Sequence, residues 1–151
     1  MSEVHLGNAR DPEQLRRMEE LQKKGDCHFC GDIGQKHTAP VIKTTENWFV
    51  VANDFPYKGS IHHYLVVSRA HITKISEVRT DARIELFEVA HWLETKLDVN
   101  GFSFFVRSGN MSLTGATLDH LHFHFLVGAE KPKNAKFPDD NLLVTLGYKE
   151  K

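Results

Sequence analysis

The sequence predicts an α+β domain built on an antiparallel sheet, and three observations support this prediction. Segments typical of strands are followed by one long segment typical of a helix, and further strand segments come after it. The chain has 151 residues, of which 40% are hydrophobic and 26% are charged. This size and composition are typical of one soluble globular domain, and no internal repeat or linker divides the chain.

Two segments have the pattern of a helix. Asp11 is expected to cap the first, a proline follows it, and the helix ends at Gly25 with only a thin apolar stripe. Because this helix is mostly polar, we expect it on the surface or against a partner. The second helix spans residues 80–97, and its broad apolar face includes Ile84 and Phe87.

Five segments are rich in β-branched and aromatic residues and are expected to form strands. They are residues 41–54, which contain two short strands around a polar turn, and residues 62–68, 101–108, 119–128 and 142–146. The last of these would be a terminal strand in an otherwise polar tail.

Composition excludes several classes of protein. The 19 basic and 20 acidic residues nearly cancel, which argues against nucleic-acid binding through a basic surface. The apolar runs are far shorter than the ~18 residues that span a bilayer, and the N-terminal segment lacks a secretory signal. Two cysteines do not make a disulfide framework, whereas ten histidines are an unusual number. We therefore expect a cytoplasmic protein, bound to neither membrane nor nucleic acid, with imidazole or metal chemistry.

Three of the histidines alternate with apolar residues in one predicted strand. Because residues two apart project from the same face of a strand, His120, His122 and His124 share a face, while the intervening leucine and phenylalanines face the core. Such a face must be wet, bound to something or internally hydrogen-bonded. The pattern fits a solvent-exposed face, a metal site, or nucleophilic catalysis of phosphoryl or nucleotidyl transfer.

The loop before this strand has the composition of a phosphate cradle. Residues 107–117 combine glycines with serine and threonine hydroxyls, and backbone N–H groups in such loops can bind phosphate oxygens. Asn110, Gly115 and Thr117 are therefore candidate substrate-binding residues.

A Cys-x-x-Cys motif near the first helix has the spacing of a zinc site. Because Cys27 and Cys30 are the only cysteines, histidines must complete a tetrahedral site. A redox motif would follow an apolar strand and open a helix, whereas Cys27 follows a helix end. The alternatives are that redox motif and two ordinary free cysteines, and His28 and His37 lie close enough in sequence to be rival ligands.

The segment HLHFHFL matches the pattern His-φ-His-φ-His-φ-φ, with φ apolar, at every position, and so resembles the histidine triad (HIT) family of nucleotide hydrolases and transferases. CHFC, the NDFPY loop, HHYLVVSRAH and GAT before the triad match in order and spacing, as in zinc-binding members with CxxC. The resemblance implies a HIT-like α+β fold with an antiparallel sheet of about five strands, one long helix and an extra N-terminal helix. It implies a HIT domain at 27–128, a helical extension at 1–26, and a tail at 129–151 that packs on or near the active site.

The resemblance also implies catalytic roles. His122 would attack the α-phosphate and form a nucleotidyl-histidine intermediate. His124 would contact the phosphate or the leaving group, and His63 would face the α-phosphate. His62 is the rival of His63, because a shift of one residue on a strand changes the face.

The resemblance implies binding residues as well. Asn53 would bind the ribose, with Asp54 as its rival, and Thr117 would lie near the phosphate. The residues implied as ligands of a structural zinc are Cys27, Cys30, His71 and His120. The expected substrate is a purine nucleotide, adenosine-containing, and dimerisation as a homodimer would use residues 80–97 and 102–107.

The implied activity is cleavage of a nucleoside phosphoramidate or a dinucleoside polyphosphate. The alternatives are a non-catalytic, zinc-stabilised nucleotide-binding or adaptor protein, and a phosphorylase that uses phosphate in place of water. The chain lacks the Arg-containing segment that follows the triad in many members, and its 107–115 loop is longer than in the shortest ones. Both departures lie near the leaving group and so affect the choice of substrate.

Overall fold

An antiparallel five-stranded sheet organises the structure, a computed structural model that describes residues 3–136 and 140–151. Its strands are β1 (Val41–Thr44), β2 (Trp48–Ala52), β3 (His62–Ser68), β4 (Ser103–Val106) and β5 (His122–Val127). They lie in the order β1-β2-β3-β5-β4, so that β5 is an interior strand between β3 and β4. The predicted α+β class and the sheet of about five strands are confirmed. Residues 1–2 of the predicted extension and 137–139 of the predicted tail lie outside the described residues.

Helices precede the first strand and lie between later strands. They are α1 (Pro12–Lys24), α2 (Ile33–Lys36), α3 (Thr80–Leu97) and α4 (Met111–Thr114). The first begins as predicted, because the Asp11 carboxylate accepts a hydrogen bond from Gln14 N, and it ends at Gly25 in the left-handed conformation. The single turns α2 and α4 begin at the side chains of Asp32 and Asn110, and they are too short to show a periodic pattern in the sequence.

The long helix α3 covers one face of the sheet. The buried residues of this core are Trp48, Val50, Val66, Val78, Ala82, Leu86, Val89, Leu93, Leu121, Phe123, Phe125 and Val127. They include the apolar residues that alternate with the triad histidines, as expected. Ile84 and Phe87 are not part of the buried stripe of α3, because they are 64% and 71% exposed.

The opposite face of the sheet carries a smaller apolar cluster and the triad. Phe29, Val51 and Leu65 are among its buried residues. Across the central pair of strands, His122 lies opposite Val67 and His124 opposite Leu65. The two imidazoles therefore project into the space between this face and the N-terminal third of the chain.

Residues 142–146 are irregular, so the predicted terminal strand is wrong. Thr145 O accepts a hydrogen bond of 2.7 Å from Arg107 Nη2, and the backbone of this segment packs on Gly115. A Cβ at Gly115 would lie 2.9 Å from Thr145 O, and its φ of 77° also favours glycine. The Arg107 side chain and the loop at Gly115 therefore contact backbone groups of residues 142–146 that would otherwise pair with a neighbouring strand.

The N-terminal segment is held against the loop before β5. Val4 forms an isolated antiparallel bridge with Leu118, and Asp119 N donates to Glu3 O at 2.9 Å. This attachment brings α1 over the sheet face that carries the triad. Within residues 3–136 and 140–151, no helix combines the length and apolarity needed to cross a membrane.

Candidate active site

Strand β5 presents His122 in one defined tautomer. Its Nδ1 lies 2.7 Å from His120 O and must donate to that carbonyl. In the neutral ring the lone pair is therefore on Nε2. Burial is the main cause that lowers the pKa of His122 to about 4, and the Arg107 charge adds to it. His122 thus offers an unprotonated ring nitrogen at neutral pH.

His63 and His124 form a buried pair next to it. His63 Nε2 lies 2.9 Å from His124 Nδ1, and Tyr57 N donates to His63 Nδ1 at 3.1 Å. Since Nδ1 of His63 accepts, its Nε2 carries the proton and donates to His124 Nδ1. His62 instead contacts Tyr64 and is not part of this pair. The structure therefore places His63, rather than His62, beside the triad.

Two arginines lie next to these imidazoles without an acidic partner. Arg107 is 8% exposed, and its guanidinium contacts Thr114 O, Thr145 O, Tyr57 Oη and His124 Nε2. Among the described residues, no carboxylate forms a salt bridge with Arg107 or with Arg10. An unpaired buried cation favours an anion nearby. We refer to His63, His122, His124 and Arg107 as the cavity cluster.

The same charges keep the imidazoles neutral. Burial, followed by the charge of Arg10, lowers the pKa of His63 to about 3. Burial and the neighbouring His122 hold the pKa of His124 well below its usual range. The arginines are absent from the sequence-based site, although Arg107 is the first residue of the predicted phosphate loop and Arg10 directly precedes the cap of α1.

A cavity that opens to solvent adjoins His122 and His124. The lining includes Asn53, Thr117, Phe29 and side chains of α1. Asn110 and Gly115 do not line it: the first caps α4, and the second supports the tail.

Asn53 and Asp54 differ in how their side chains are engaged. Asp54 accepts from Arg17 Nη1 at 2.6 Å and from two backbone N–H groups of residues 38 and 39. Burial alone would raise the pKa of Asp54, but the bond from Thr38 N and the charges of His37 and Arg17 together lower it. Asn53 Oδ1 accepts from Phe55 N, and its Nδ2 lies near the ring of His63. Asn53 is thus the residue that faces the cavity cluster.

The second group of histidines converges with the two cysteines. His120 Nδ1 lies 3.4 Å from Cys27 Sγ, 3.6 Å from Cys30 Sγ and 3.2 Å from His71 Nδ1. A tetrahedral zinc, about 2.3 Å from sulfur and about 2.0 Å from nitrogen, spaces its ligands by about 3.3–3.8 Å. The residues therefore fit zinc. We refer to Cys27, Cys30, His71 and His120 as the thiol cluster.

The surroundings of the thiol cluster favour metal binding over redox chemistry. His120 Nε2 donates to Ser68 O at 2.6 Å, which leaves Nδ1 free to bind a metal. Burial raises the pKa of the Cys27 thiol to about 12, opposite to the low pKa of a redox-active cysteine. The rival ligands His28 and His37 contact each other and are not part of this cluster.

A third polar group lies at the far side of the cavity. His28 Nε2 is 2.9 Å from His37 Nδ1, and His37 Nε2 lies 2.8 Å from Ala52 O and 3.3 Å from Asp54 Oδ1. Burial, followed by the charges of His37 and Arg17, lowers the pKa of His28 to about 4. Sequence reasoning considered His28 and His37 as rival zinc ligands and Asp54 as a rival for the ribose. It did not connect these residues to one another or to Arg17, because they are dispersed over residues 17–54.

A sheet that carries alternating histidines on an interior strand, beside a cavity, defines the class of histidine triad domains. The family model for the HIT domain matches residues 35–131, and this chain belongs to the HIT family. The resemblance seen in the sequence is thereby confirmed.

Solved structures agree with this membership. A HIT family hydrolase from Clostridium thermocellum is 22% identical, with 73% of this chain and 97% of that chain covered and a TM-score of 0.59. A Zn-bound histidine triad family protein from Mycobacterium smegmatis is 19% identical, with 76% and 85% covered and a TM-score of 0.55. A histidine triad nucleotide-binding protein from Candida albicans is 20% identical, with 76% and 88% covered and a TM-score of 0.57. These similarities show the fold.

Proposed function

We propose that this protein is a nucleotide hydrolase or transferase that works through a covalent nucleotidyl-histidine at His122. The observation that carries the proposal is the tautomer of this residue. Its Nδ1 proton is bound to His120 O, so the lone pair of Nε2 is free, and the ring is neutral at physiological pH. A nucleophilic imidazole requires both conditions.

The proposed reaction has two displacements at the α-phosphorus. His122 Nε2 forms an N–P bond while the bond from phosphorus to the leaving group breaks. The leaving group is the amine of a phosphoramidate or the remaining phosphate chain of a dinucleoside polyphosphate, and it would depart beside His124 and take up a proton from solvent. Water then forms a P–O bond and releases a proton to solvent, the N–P bond breaks, and the nucleoside monophosphate leaves a free His122.

The positive charge of the site supports a phosphate substrate. Arg107 and Arg10 lie beside the imidazoles, and Arg10 stacks on Tyr57 with its guanidinium 4.5 Å from the ring centre. Phosphate oxygens would supply the anionic partner that these cations lack within the described chain. The two arginines would also stabilise the charge that develops on the phosphate during each displacement.

Substrate-binding roles follow from the cavity. Thr117 and Asn53 line it, and Asn53 is favoured over Asp54 for the ribose hydroxyls because Arg17 and backbone N–H groups already engage the Asp54 carboxylate. Asn110 and Gly115 remain predictions that would act through α4 and the tail. Relatives named as a hydrolase and as a nucleotide-binding protein support a nucleotide substrate, for which we propose an adenosine-containing purine nucleotide.

We propose a structural zinc in the thiol cluster. The ligands would be both cysteine thiolates and the Nδ1 atoms of His71 and His120, and a relative with the same fold is described as Zn-bound. Zinc there would tie the segment after α1 to the end of β3 and the start of β5. The metal would be held away from the phosphate by the backbone between His120 and His122.

We also propose a homodimer. The edge strand β4 and the exposed Ile84 and Phe87 of α3 form an apolar surface of the kind that mediates subunit contacts. Light scattering should give twice the chain mass for the wild type and the chain mass for Phe87→Glu. A wild-type monomer at micromolar concentration would contradict this part of the proposal.

The covalent mechanism is tested by trapping. The protein is mixed with an adenosine phosphoramidate or a diadenosine polyphosphate, quenched with denaturant within one turnover, and analysed by mass spectrometry. We expect released AMP and an adenylylated peptide that contains residue 122. Turnover without any adduct would contradict the covalent route, and binding without turnover would indicate an adaptor. Formation of ADP only when inorganic phosphate is added would indicate a phosphorylase.

A further inference from the structure

A buried chain of polar side chains connects α1 to the far side of the cavity. Arg17 Nη1 donates to Asp54 Oδ2 at 2.6 Å, and Asp54 Oδ1 lies 3.3 Å from His37 Nε2. His37 Nδ1 is 2.9 Å from His28 Nε2. None of these side chains takes part in the proposed displacement or in the thiol cluster. A buried polar network destabilises the folded state unless each of its polar atoms has a hydrogen-bond partner. A polar atom at the end of the network that lacks such a partner therefore indicates the kind of ligand group that the network could bind.

The direction of the hydrogen bonds fixes the free end. His37 Nε2 faces two acceptors, Ala52 O and the Asp54 carboxylate, and therefore carries the proton of the neutral ring. His37 Nδ1 must then accept from His28 Nε2, which leaves a lone pair on His28 Nδ1. Within residues 3–136 and 140–151, no hydrogen bond reaches that nitrogen, and His28 lines the cavity.

The surroundings of His28 suit a flat aromatic ligand. Phe29, Leu65 and Met18 line the same cavity, and His28 and Phe29 have ring centres 5.2 Å apart. His122 and His124 also line it, so one ligand that reaches the triad with its phosphate can place its base here. A nucleobase has both the flat shape and the polar edge that such a site recognises.

We propose that His28 is a specificity-determining residue: its Nδ1 accepts a hydrogen bond from the 6-amino group of a purine base, and Arg17, Asp54 and His37 hold it in that tautomer. The inference rests on the proposed function, because it assumes that a nucleotide occupies the cavity. A 6-oxo purine would present a carbonyl oxygen to the same lone pair and would be disfavoured. A mismatch of this kind lowers affinity by roughly 10-fold to 100-fold.

The test is calorimetric binding of AMP and IMP to the full-length, zinc-loaded protein, without turnover. We expect the wild type to bind AMP at least roughly 10-fold more tightly than IMP. His28→Phe keeps an aromatic ring but removes the lone pair, so its AMP and IMP affinities should agree to within about twofold. His91→Phe, on the exposed side of α3, is the matched control and should keep the wild-type ratio.

A ligand-side measurement makes the result independent of how well the variant folds. Purine riboside 5′-monophosphate lacks the 6-amino group and should bind the wild type about as weakly as IMP. Equal binding of all three nucleotides, or an unchanged ratio in a folded His28→Phe with normal zinc content, would overturn the role of His28. Failure of every nucleotide to bind the wild type would instead contradict the proposed function.

Discussion

Two clusters of imidazoles lie side by side along β5 and use the same residue type for different chemistry. In the thiol cluster, His120 turns Nε2 to a backbone carbonyl and presents Nδ1 to two sulfurs and a second imidazole. In the cavity cluster, His122 makes the opposite choice: Nδ1 is bound to a carbonyl, and Nε2 is free. The two residues are separated by one leucine, and His120 lies just before β5 begins.

The difference shows what decides the role of each histidine. It is the ring nitrogen bound to a backbone carbonyl, together with the neighbouring charges, and the alternating spacing alone is not enough. Softer ligands suit the thiol cluster to a cation such as zinc. Arg107 and Arg10 suit the cavity cluster to an anion. If this interpretation is correct, substitutions in one cluster should leave the property of the other unchanged.

The largest effect is expected for His122→Ala, which removes the proposed nucleophile. Loss of a covalent nucleophile lowers kcat by roughly 10⁴-fold or more. Zinc content, measured by elemental analysis, should stay at the wild-type value, because the thiol cluster is intact. Turnover within about tenfold of the wild type would exclude His122 as the nucleophile.

Cys27→Ser should have the complementary effect. We expect loss of zinc from about one atom per chain to none, since a hydroxyl replaces a thiolate ligand. A metal present at a thousand times its dissociation constant stabilises the folded state by about 4 kcal/mol, so urea denaturation should show a decrease of that order. A variant that keeps both its zinc and its stability would show that the thiol cluster is not the metal site.

Local patterns in the sequence predicted the parts of the site that lie on one strand or within one motif. Strict alternation in β5 placed three histidines on one face, because the side-chain period of a strand is two. The short Cys-x-x-Cys spacing likewise indicated Cys27 and Cys30 as candidate metal ligands. These predictions needed no knowledge of how distant segments pack.

Contacts between distant segments could not be predicted in this way. Arg10 reaches the cavity only because residues 3–5 pair with the loop before β5, and Arg107 only because Tyr57 and the tail surround it. Residues 142–146 have a strand-like composition, but the sheet does not pair with them and Arg107 binds their backbone. Similarly, Ile84 and Phe87 are apolar but lie on the exposed side of α3, because tertiary packing decides which side of a helix is buried.

His63→Gln should make the protein more resistant to acid, because it removes one buried imidazole of the cavity cluster. Burial and Arg10 lower the pKa of His63 to about 3, against about 6.5 in the unfolded chain. The unfolded state therefore binds more protons below pH 6.5, and stability is lost as the pH falls toward 3. The slope is at most about 1.4 kcal/mol per pH unit for each such histidine.

The measurement is the free energy of unfolding at pH 6.5 and pH 5.0. The wild type should lose free energy of unfolding between pH 6.5 and pH 5.0. Removing one titrating imidazole should make that loss smaller by up to about 2 kcal/mol. The control is His91→Gln. Because the His91 ring is exposed, this variant should lose as much free energy of unfolding over the interval as the wild type does. If His63→Gln and the wild type lose the same free energy of unfolding, the burial of His63 is not a cause of the acid sensitivity.

The smallest effect is expected for Glu3→Gln, which tests how closely the N-terminal segment is coupled to the thiol cluster. Glu3 Oε2 is buried and lies 3.7 Å from His71 Nε2. With Nδ1 of His71 on zinc, the Nε2 proton faces this carboxylate, and loss of such an outer partner weakens metal binding by about tenfold. Competition with a chelator should show that decrease, while Glu19→Gln on the exposed side of α1 should show none. Because Glu3 has no contact with the cavity cluster, kcat/KM of the zinc-loaded variant should equal that of the wild type, and a parallel loss of activity would mean that the two clusters are not independent.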